Sequence, residues 1–264
     1  RWRECQFGMD TKLPFGAKSI VDCTQMVNEK SFSYGGVFGA YVCPFLRNFE
    51  GFRGSIAFDA REEGGARKDL YMTGCDVGTH IDSPSHFFTK YPNGKPARCI
   101  HQLKPSELIA KGSVIDVTKK VEENNDYLLT TQDILDFEAK YGKIKDNSIV
   151  IMKTGWGGRF EERKCYENKC SKGLIHFPGF SPKCAKFLVN ERKIVGIGID
   201  TPSLDHGPSP DFPTHKVILA ADKYQVENMN LEQIPEGIGS TFICSPLKVE
   251  GAPEAMARVF AVLT

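Results

Sequence analysis

The chain has 264 residues, of which 41% are hydrophobic and 25% are charged, and its formal net charge at pH 7 is +1. This composition is typical of a globular protein with a sizeable core. A nearly neutral chain lacks the basic surface that nucleic acids and acidic membranes attract, and no apolar run reaches the ~20 residues of a membrane-spanning helix. We therefore expect no nucleic-acid partner and no membrane partner.

Cysteine usage bears on the cellular location. Nine cysteines are present, an odd and rather high number for a cytosolic protein, and none forms a CxxC pair. Cys165 and Cys170 are candidates for a small surface disulfide. Because the chain begins at Arg1 and not at methionine, secretion is slightly favoured. The absence of an Asn-x-Ser/Thr site favours the alternative, a cytoplasmic location.

Strands and helices are predicted to alternate along the chain. Four β-rich runs are typical of buried strands: 18–24, 112–118, 148–156 and 193–200. Segments 130–142 and 181–193 have helical spacing of apolar residues; the first begins at a threonine cap and ends at a glycine, and the second begins with Ser-Pro. We predict a single α/β domain over residues 1–264, in which the proline-rich segment 201–214 is an irregular loop.

The stretch CDVGTHIDSPSHFF, residues 75–88, is the most informative part of the sequence. Within eleven residues it holds four potential metal ligands: Asp76, His80, Asp82 and His86. All the intervals between them are even, and residues at even offsets in an extended segment face the same side. Pro84 interrupts sheet pairing, so His86 is expected just past the strand end, folded back toward the others. Gly78 is expected to leave space for a metal or substrate.

Imidazole and carboxylate together suit a borderline divalent ion such as Zn²⁺ or Mn²⁺. Any one of these residues, taken alone, is more often a structural polar group at a strand end. Two carboxylates on one buried face, however, repel each other and lose hydration unless a cation compensates. The cluster as a whole therefore predicts a divalent metal site with an open position for a water molecule whose pKa falls to ~7.

At these residues the sequence resembles the metal-dependent cyclase-like hydrolases, the family that includes bacterial kynurenine formamidase and isatin hydrolase. The family signature, His-x-Gly-Thr-His-x-Asp-x-Pro-x-His, is matched at every position but the first, where Asp76 stands in place of histidine. Five other segments resemble segments of the family and occur in the same order, so the resemblance spans most of the chain: IVDCT, IVIMKTGW, FPGFSPKCAKFL, VGIGIDTPSLDHG and HKVILAADKYQVENMNLEQIP.

The resemblance implies an α/β fold with the family's mixed sheet, of the swivelling β/β/α type. It also implies a metal bound at Asp76, His80 and Asp82. His86 matches the acid/base position, or a ligand of a second metal, and two residues from the end of the chain complete the catalytic set: His215 and Glu227. Relatives usually form homodimers or higher homo-oligomers, in which aromatic residues near the N-terminus of one subunit line the pocket of the neighbouring subunit. Possible equivalents here are Trp2, Phe38 and Phe45.

Asp76 is the one departure from the signature. A carboxylate in place of an imidazole keeps a ligand but shortens the side chain and adds negative charge. This change reduces the Lewis acidity of a bound ion and favours Mn²⁺ over Zn²⁺.

Three further residues are candidates for the substrate pocket. Trp156 follows a predicted strand among glycines that permit close approach, with core packing as the alternative. Asp205 and His206 are adjacent in the proline-rich loop and are predicted at the pocket mouth, with a solvated loop histidine as the alternative.

Two functions from different classes follow. The first is a metal-dependent hydrolase of a small aromatic amide, either an arylformamide such as N-formylkynurenine or a cyclic amide such as isatin. The second is a secreted binding or structural protein that keeps the fold without catalysis, to which the altered first ligand and the many cysteines point. The acid/base residues His86, His215 and Glu227 are retained although the first ligand has changed, and this favours the enzyme.

Overall fold

A computed structural model describes residues 16–27, 31, 52–59, 61 and 64–264. Trp2, Phe38 and Phe45 lie outside these residues. The described strands are β1 (Ser19–Asp22), β2 (Phe52–Asp59), β3 (Arg67–Thr73), β4 (His80–Asp82), β5 (Ile109–Asp116), β6 (Leu128–Leu129), β7 (Ile149–Lys153), β8 (Gly179–Phe180), β9 (Gly196–Ile199), β10 (Tyr224–Glu227), β11 (Gly237–Pro246) and β12 (Glu254–Leu263). The described helices are α1 (Pro105–Leu108), α2 (Thr118–Glu123), α3 (Thr131–Tyr141), α4 (Arg163–Glu167), α5 (Pro182–Arg192) and α6 (Pro213–Ala220).

Eight strands form one mixed sheet in the order β1-β12-β11-β5-β7-β9-β10-β4. The pairs within β5-β7-β9-β10 are parallel, whereas the pairs at both ends are antiparallel. The short strand β4 pairs with β10 on one side and with β12 on the other, so the sheet closes into a barrel. This arrangement confirms the predicted α/β fold with a mixed sheet, and it places β4 at the closure of the barrel.

The central strands are buried on both faces. Along β7, Ile149 and Ile151 belong to an apolar cluster inside the barrel, whereas Val150 and Met152 belong to a second cluster beneath the helices. This alternation is the period of two expected for a strand with a core on each side. All four predicted strands are present, although β7 stops at Lys153, before the predicted end. The prediction that β1 is buried was wrong: its residues alternate between half-buried and exposed, because it is the end strand of the sheet.

The two predicted helices have the predicted ends. At α3, Thr130 Oγ1 accepts a hydrogen bond from Asp133 N–H, and the Asp133 carboxylate accepts one from Thr130 N–H in return. Gly142, with φ of +93°, ends this helix. At α5, the Ser181 side chain accepts a hydrogen bond from the backbone N–H of Cys184. These side chains satisfy N–H groups that have no partner within the helix.

Segment 201–214 is irregular until α6 begins at Pro213, as predicted. Its first residues are buried because they pack under α6 and beside β8. The predicted disulfide is not formed: Cys165 and Cys170 are free thiols, one on α4 and the other in the turn after it. None of the described helices is long and apolar enough to cross a membrane.

Candidate active site

Three neighbouring strands supply the base of the site. On β4, Ile81 points into the barrel core, so His80 and Asp82 point outward, toward the helices. His80 lies opposite Glu227 of β10, and Asp82 lies opposite Gln225 of β10 and, on its other side, Glu254 of β12. The closure of the barrel therefore gathers acidic and imidazole side chains from distant parts of the chain on one face.

The polar side chains form two overlapping sets of potential ligands. In the first set, one potential ligand atom from each of His80, Asp82 and Glu227, a ring nitrogen or a carboxylate oxygen, lies within 4.8 Å of the other two. The same holds in the second set for Asp82, His86 and His215. His80 Nε2 is 3.6 Å from Asp82 Oδ1 and 3.5 Å from Glu227 Oε2. His215 Nε2, from α6, is 3.2 Å from Glu227 Oε1. Asp82 is common to both sets and is therefore the centre of the site.

Hydrogen bonds outside the cluster fix the direction of both buried imidazoles. His80 Nδ1 lies 2.9 Å from the carbonyl oxygen of Gly78, to which its N–H donates. His215 Nδ1 donates in the same way to Asp205 Oδ2 at 2.7 Å. Each ring therefore turns Nε2 toward the cluster, which is the arrangement typical of metal-binding histidines.

The acidic groups are oriented as well. Gln225 Nε2 donates to Asp82 Oδ2 at 2.7 Å, and the backbone N–H of Leu204 donates to Glu227 Oε1 at 2.9 Å. The Asp205 carboxylate accepts hydrogen bonds from the backbone N–H groups of Thr214 and His215 at the start of α6. These contacts leave the remaining oxygens of Asp82 and Glu227 directed into the cluster.

The electrostatics of the site favour a protonated His80 beside an ionised Asp82. Burial opposes protonation of His80, but its hydrogen bond to Glu227 and the charge of Asp82 raise its pKa to about 10. Burial likewise opposes ionisation of Asp82, yet the neighbouring histidines His86, His215 and His80 lower its pKa. Burial and the charge of Asp82 raise the pKa of Glu254. The site thus concentrates negative charge that only nearby positive charge can balance.

A divalent cation fits this donor set. Asp82 Oδ1 is buried and has no hydrogen-bond partner in the described structure, although it faces imidazole nitrogen. A buried carboxylate oxygen without a hydrogen-bond partner lowers the stability of the folded protein unless a cation lies beside it. Three imidazoles and two carboxylates are also donors that Zn²⁺ and Mn²⁺ accept. The described residues that can hold the ion are His80, Asp82, Glu227, His86 and His215.

The cavity above the cluster has a volume of about 640 Å³. His86 lies at its side in the 3-10 turn Pro84–His86, with Nδ1 3.6 Å from Glu254 Oε2. Phe87 and Phe212 pack against each other with ring centroids 5.8 Å apart, and both contact the His215 ring. The cavity therefore combines a polar base with an aromatic wall, as small-molecule sites commonly do.

Asp76 reaches the cavity from a turn and not from the predicted strand. It lines the cavity, but it belongs to neither compact ligand set among the described residues. The shared-face argument fails because residues 76–79 form a turn, in which Gly78 has φ of +69°, and only His80 and Asp82 belong to the strand. Gly78 does not leave space for a substrate either, because a Cβ there would lie 2.6 Å from Val27 Cγ2.

Two of the three predicted pocket residues, Trp156 and His206, lie elsewhere. Trp156 is fully buried in the core beneath the helices, where its indole N–H donates to the carbonyl oxygen of Tyr166. The early end of β7 turns the chain into the 3-10 turn Trp156–Arg159 and carries the indole inward. His206 is half-buried and does not line the cavity; its neighbour Asp205 reaches the site instead.

Two residues of the site, Gln225 and Glu254, are absent from the sequence-based prediction. Gln225 precedes Glu227 by two positions on the same strand face, so its position carried a usable signal. Glu254 follows no motif. It reaches the cavity only because β12 pairs with β4.

Replacing Gly78 with alanine tests the turn before β4. We expect Gly78→Ala to lose about 1–2 kcal/mol of unfolding free energy through its left-handed backbone and roughly 1–3 kcal/mol more through the clash with Val27. Gly94→Ala is the matched control, because Gly94 has φ of +82° with no atom within 4 Å. Chemical denaturation of both variants, and of each with Val27→Ala, measures the difference. Equal losses in the two glycine variants would contradict the close packing.

The fold and the site together define a metal-dependent hydrolase. The chain belongs to the Cyclase family, whose model matches residues 21–206. It is 31% identical over 193 residues to an isatin hydrolase from Roseibium aggregatum. The aligned region covers 70% of this chain and 71% of that protein. A kynurenine formamidase from Polaromonas naphthalenivorans is 34% identical over 88 residues, 33% of this chain and 39% of that protein.

Solved structures agree with this assignment. Isatin hydrolase A from Ralstonia solanacearum superposes with a TM-score of 0.80 at 26% identity, covering 93% of this chain and 92% of that one. An isatin hydrolase bound to the product analogue thioisatinate gives a TM-score of 0.78 at 26% identity, covering 92% and 91%. These relatives give no support to the alternative of a binding protein without catalysis.

Proposed function

We propose that this protein hydrolyses a small amide carried by an aromatic ring, and that a cyclic amide of the isatin type is preferred over an open arylformamide. The observation that carries the proposal is the buried set His80, Asp82 and Glu227 at the base of a cavity walled by Phe87 and Phe212. The much longer match to an isatin hydrolase than to a kynurenine formamidase supports the cyclic substrate.

We propose that His80, Asp82 and Glu227 hold the ion, with Asp76, at the first signature position, as a further ligand. The ion is Mn²⁺ or Zn²⁺, and the high proportion of carboxylates favours Mn²⁺. When bound, a divalent ion supplies Lewis-acid polarisation of the amide carbonyl and lowers the pKa of a water molecule. In this proposal Glu227 acts as a ligand, whereas the sequence analysis gave it a catalytic role.

His86 is the proposed acid/base. Its side chain is 28% exposed, so it reaches both the cavity and solvent. Glu254 lies near Nδ1 and leaves Nε2 for the substrate, where the imidazole removes a proton from water and delivers it to the departing nitrogen. His215, fixed by Asp205 and packed against Phe87 and Phe212, positions the cluster beneath the aromatic ring.

The quaternary structure and location are also proposals. We propose a homodimer or higher homo-oligomer, as the resemblance implies, which light scattering coupled to size-exclusion chromatography would measure directly. Secretion remains a prediction from the cysteine count.

Removal of the metal tests the function. The purified protein is expected to open the isatin ring, which the loss of isatin absorbance reports, and to lose this activity after dialysis against a chelator. Mn²⁺ or Zn²⁺ is expected to restore it, with a higher kcat/KM for isatin than for N-formylkynurenine. A chelated protein that stays folded and keeps full activity would contradict a metal-dependent reaction, whereas a higher kcat/KM for N-formylkynurenine would contradict only the preferred substrate.

A further inference from the structure

A buried asparagine connects the candidate metal cluster to the core beneath it. Asn228 directly follows Glu227, the last residue of β10, and does not line the cavity. Its side-chain Nδ2 donates a hydrogen bond to the carbonyl oxygen of Gly78 at 3.0 Å. The same oxygen accepts the Nδ1–H of His80 at 2.9 Å. Asn228 therefore holds the acceptor that sets the direction of the His80 ring.

The two donors converge on one oxygen. Asn228 Nδ2 and His80 Nδ1 lie 3.4 Å apart. Because both nitrogens carry a hydrogen that points to Gly78, this contact is not a hydrogen bond between them but a result of the shared acceptor. A reversed amide would place Oδ1 of Asn228 against the carbonyl oxygen of Gly78, where two acceptors repel each other. The donation to Gly78 thus requires one orientation of the amide.

Tyr166 fixes that orientation from the core side. Its hydroxyl oxygen lies 2.6 Å from Asn228 Oδ1 and 3.3 Å from the carbonyl oxygen of Asp200. Burial raises the pKa of Tyr166 well above its ordinary value, so the hydroxyl keeps its proton. A hydroxyl has one proton to donate, and the closer acceptor is Asn228 Oδ1. With Oδ1 turned toward Tyr166, Nδ2 faces Gly78.

The backbone of Asn228 is held in an unusual conformation. Its φ of +54° lies in the left-handed region, which asparagine adopts more readily than most residues. The Thr79 hydroxyl donates to the Asn228 carbonyl oxygen at 2.6 Å, and the Asn228 N–H donates to the Thr201 carbonyl oxygen at 3.0 Å. Since Thr79 directly precedes His80, both the backbone and the side chain of Asn228 hold the chain that enters β4.

We propose that Asn228 is a positioning residue, which acts through the Gly78 carbonyl to keep Nε2 of His80 directed at the cluster, and that Tyr166 keeps the Asn228 amide in place. The inference rests on the proposed role of His80 as a metal ligand. Without the amide, the Gly78 carbonyl and the imidazole it accepts from are free to turn, and Nε2 is directed at the ion for less of the time. Loss of such an outer partner usually costs about 10- to 100-fold in metal affinity.

Asn228→Gly removes the amide and keeps the backbone, because glycine adopts a positive φ without steric cost. Asn147→Gly is the matched control: Asn147 has φ of +59°, is exposed and does not line the cavity. Titration of the chelated proteins with Mn²⁺ measures the Kd. We expect Asn228→Gly to raise the Kd about 10- to 100-fold and Asn147→Gly to leave it unchanged. A folded Asn228→Gly variant with the wild-type Kd would overturn the inference.

Tyr166→Phe removes only the hydroxyl and decides the matter if Asn228→Gly does not fold. We expect it to raise the Kd about threefold, the effect of one lost hydrogen bond. An unchanged Kd in this variant would contradict the proposed link from Tyr166 to His80.

The His80 N–H group provides a measurement that does not depend on the metal. In the metal-free full chain labelled with ¹⁵N-histidine, NMR at pH 7 measures the exchange of the His80 Nδ1–H with water, and His80→Gln assigns the signal. We expect exchange at least about tenfold faster in Asn228→Gly than in the wild-type protein and in Asn147→Gly. A wild-type protein that binds no metal would refute the proposed function, and the exchange rate would still decide the inference: equal rates would overturn it.

Discussion

Asp82→Asn is expected to lower kcat/KM for isatin by at least about a thousandfold, or ~4 kcal/mol of transition-state stabilisation. Asp82 is the residue common to both ligand sets, and its Oδ1 has no hydrogen-bond partner among the described residues. Asparagine occupies the same volume and keeps an oxygen for Gln225, but it removes the negative charge that the ion requires. The measurement is steady-state kinetics with the metal content determined on the same sample.

The metal-free wild-type protein is the natural control for this variant. If Asp82 acts through the ion, chelated wild-type protein and Asp82→Asn should have the same low activity, and added Mn²⁺ should restore only the former. A variant that retained a full equivalent of metal and wild-type kcat/KM would show that the centre of the site has been assigned to the wrong carboxylate.

Asp205→Asn is expected to reduce activity or metal affinity about 10- to 100-fold, the usual effect of losing a partner of a metal-binding histidine. Asp205 accepts the Nδ1 proton of His215 at 2.7 Å and two backbone N–H groups of α6. An asparagine amide can present N–H to the imidazole instead, which turns the ring or changes its tautomer. Kinetics and metal titration of the purified variant measure both effects.

A matched variant distinguishes this role from general destabilisation. Asp146→Asn removes an exposed carboxylate that does not line the cavity, and it is expected to leave kinetics and metal affinity unchanged. Thermal unfolding identifies any loss of fold in Asp205→Asn. Should this variant stay folded and bind metal with unchanged affinity and unchanged kcat, the orientation of His215 by Asp205 would be refuted.

The sequence predicts those parts of the fold that depend on local chemistry. The caps at Thr130 and Ser181 and the apolar run of β7 are set by residues a few positions apart, and each is present. The closure of the barrel depends on β4 pairing with both β10 and β12, which lie more than 140 positions later in the chain. No local spacing encodes that pairing.

The same division holds for the candidate site. His80 and Asp82 are two positions apart on one strand, so their shared face follows from the period of a strand. The extension of this argument to Asp76 failed because a left-handed glycine turns the chain between them. Glu254 was missed because only the tertiary pairing of β12 brings it to His86. Trp156 was placed in the pocket because a strand end and nearby glycines do not reveal which way the next turn folds.

The metal content of the purified protein, determined by elemental mass spectrometry without added salts, is the most direct test of the central claim that this cluster is a metal centre. We expect about one or two equivalents of Mn or Zn per chain in the wild-type protein, and little in Asp82→Asn prepared in parallel. A folded wild-type protein that contains no metal and takes up neither Mn²⁺ nor Zn²⁺ on titration would contradict the account.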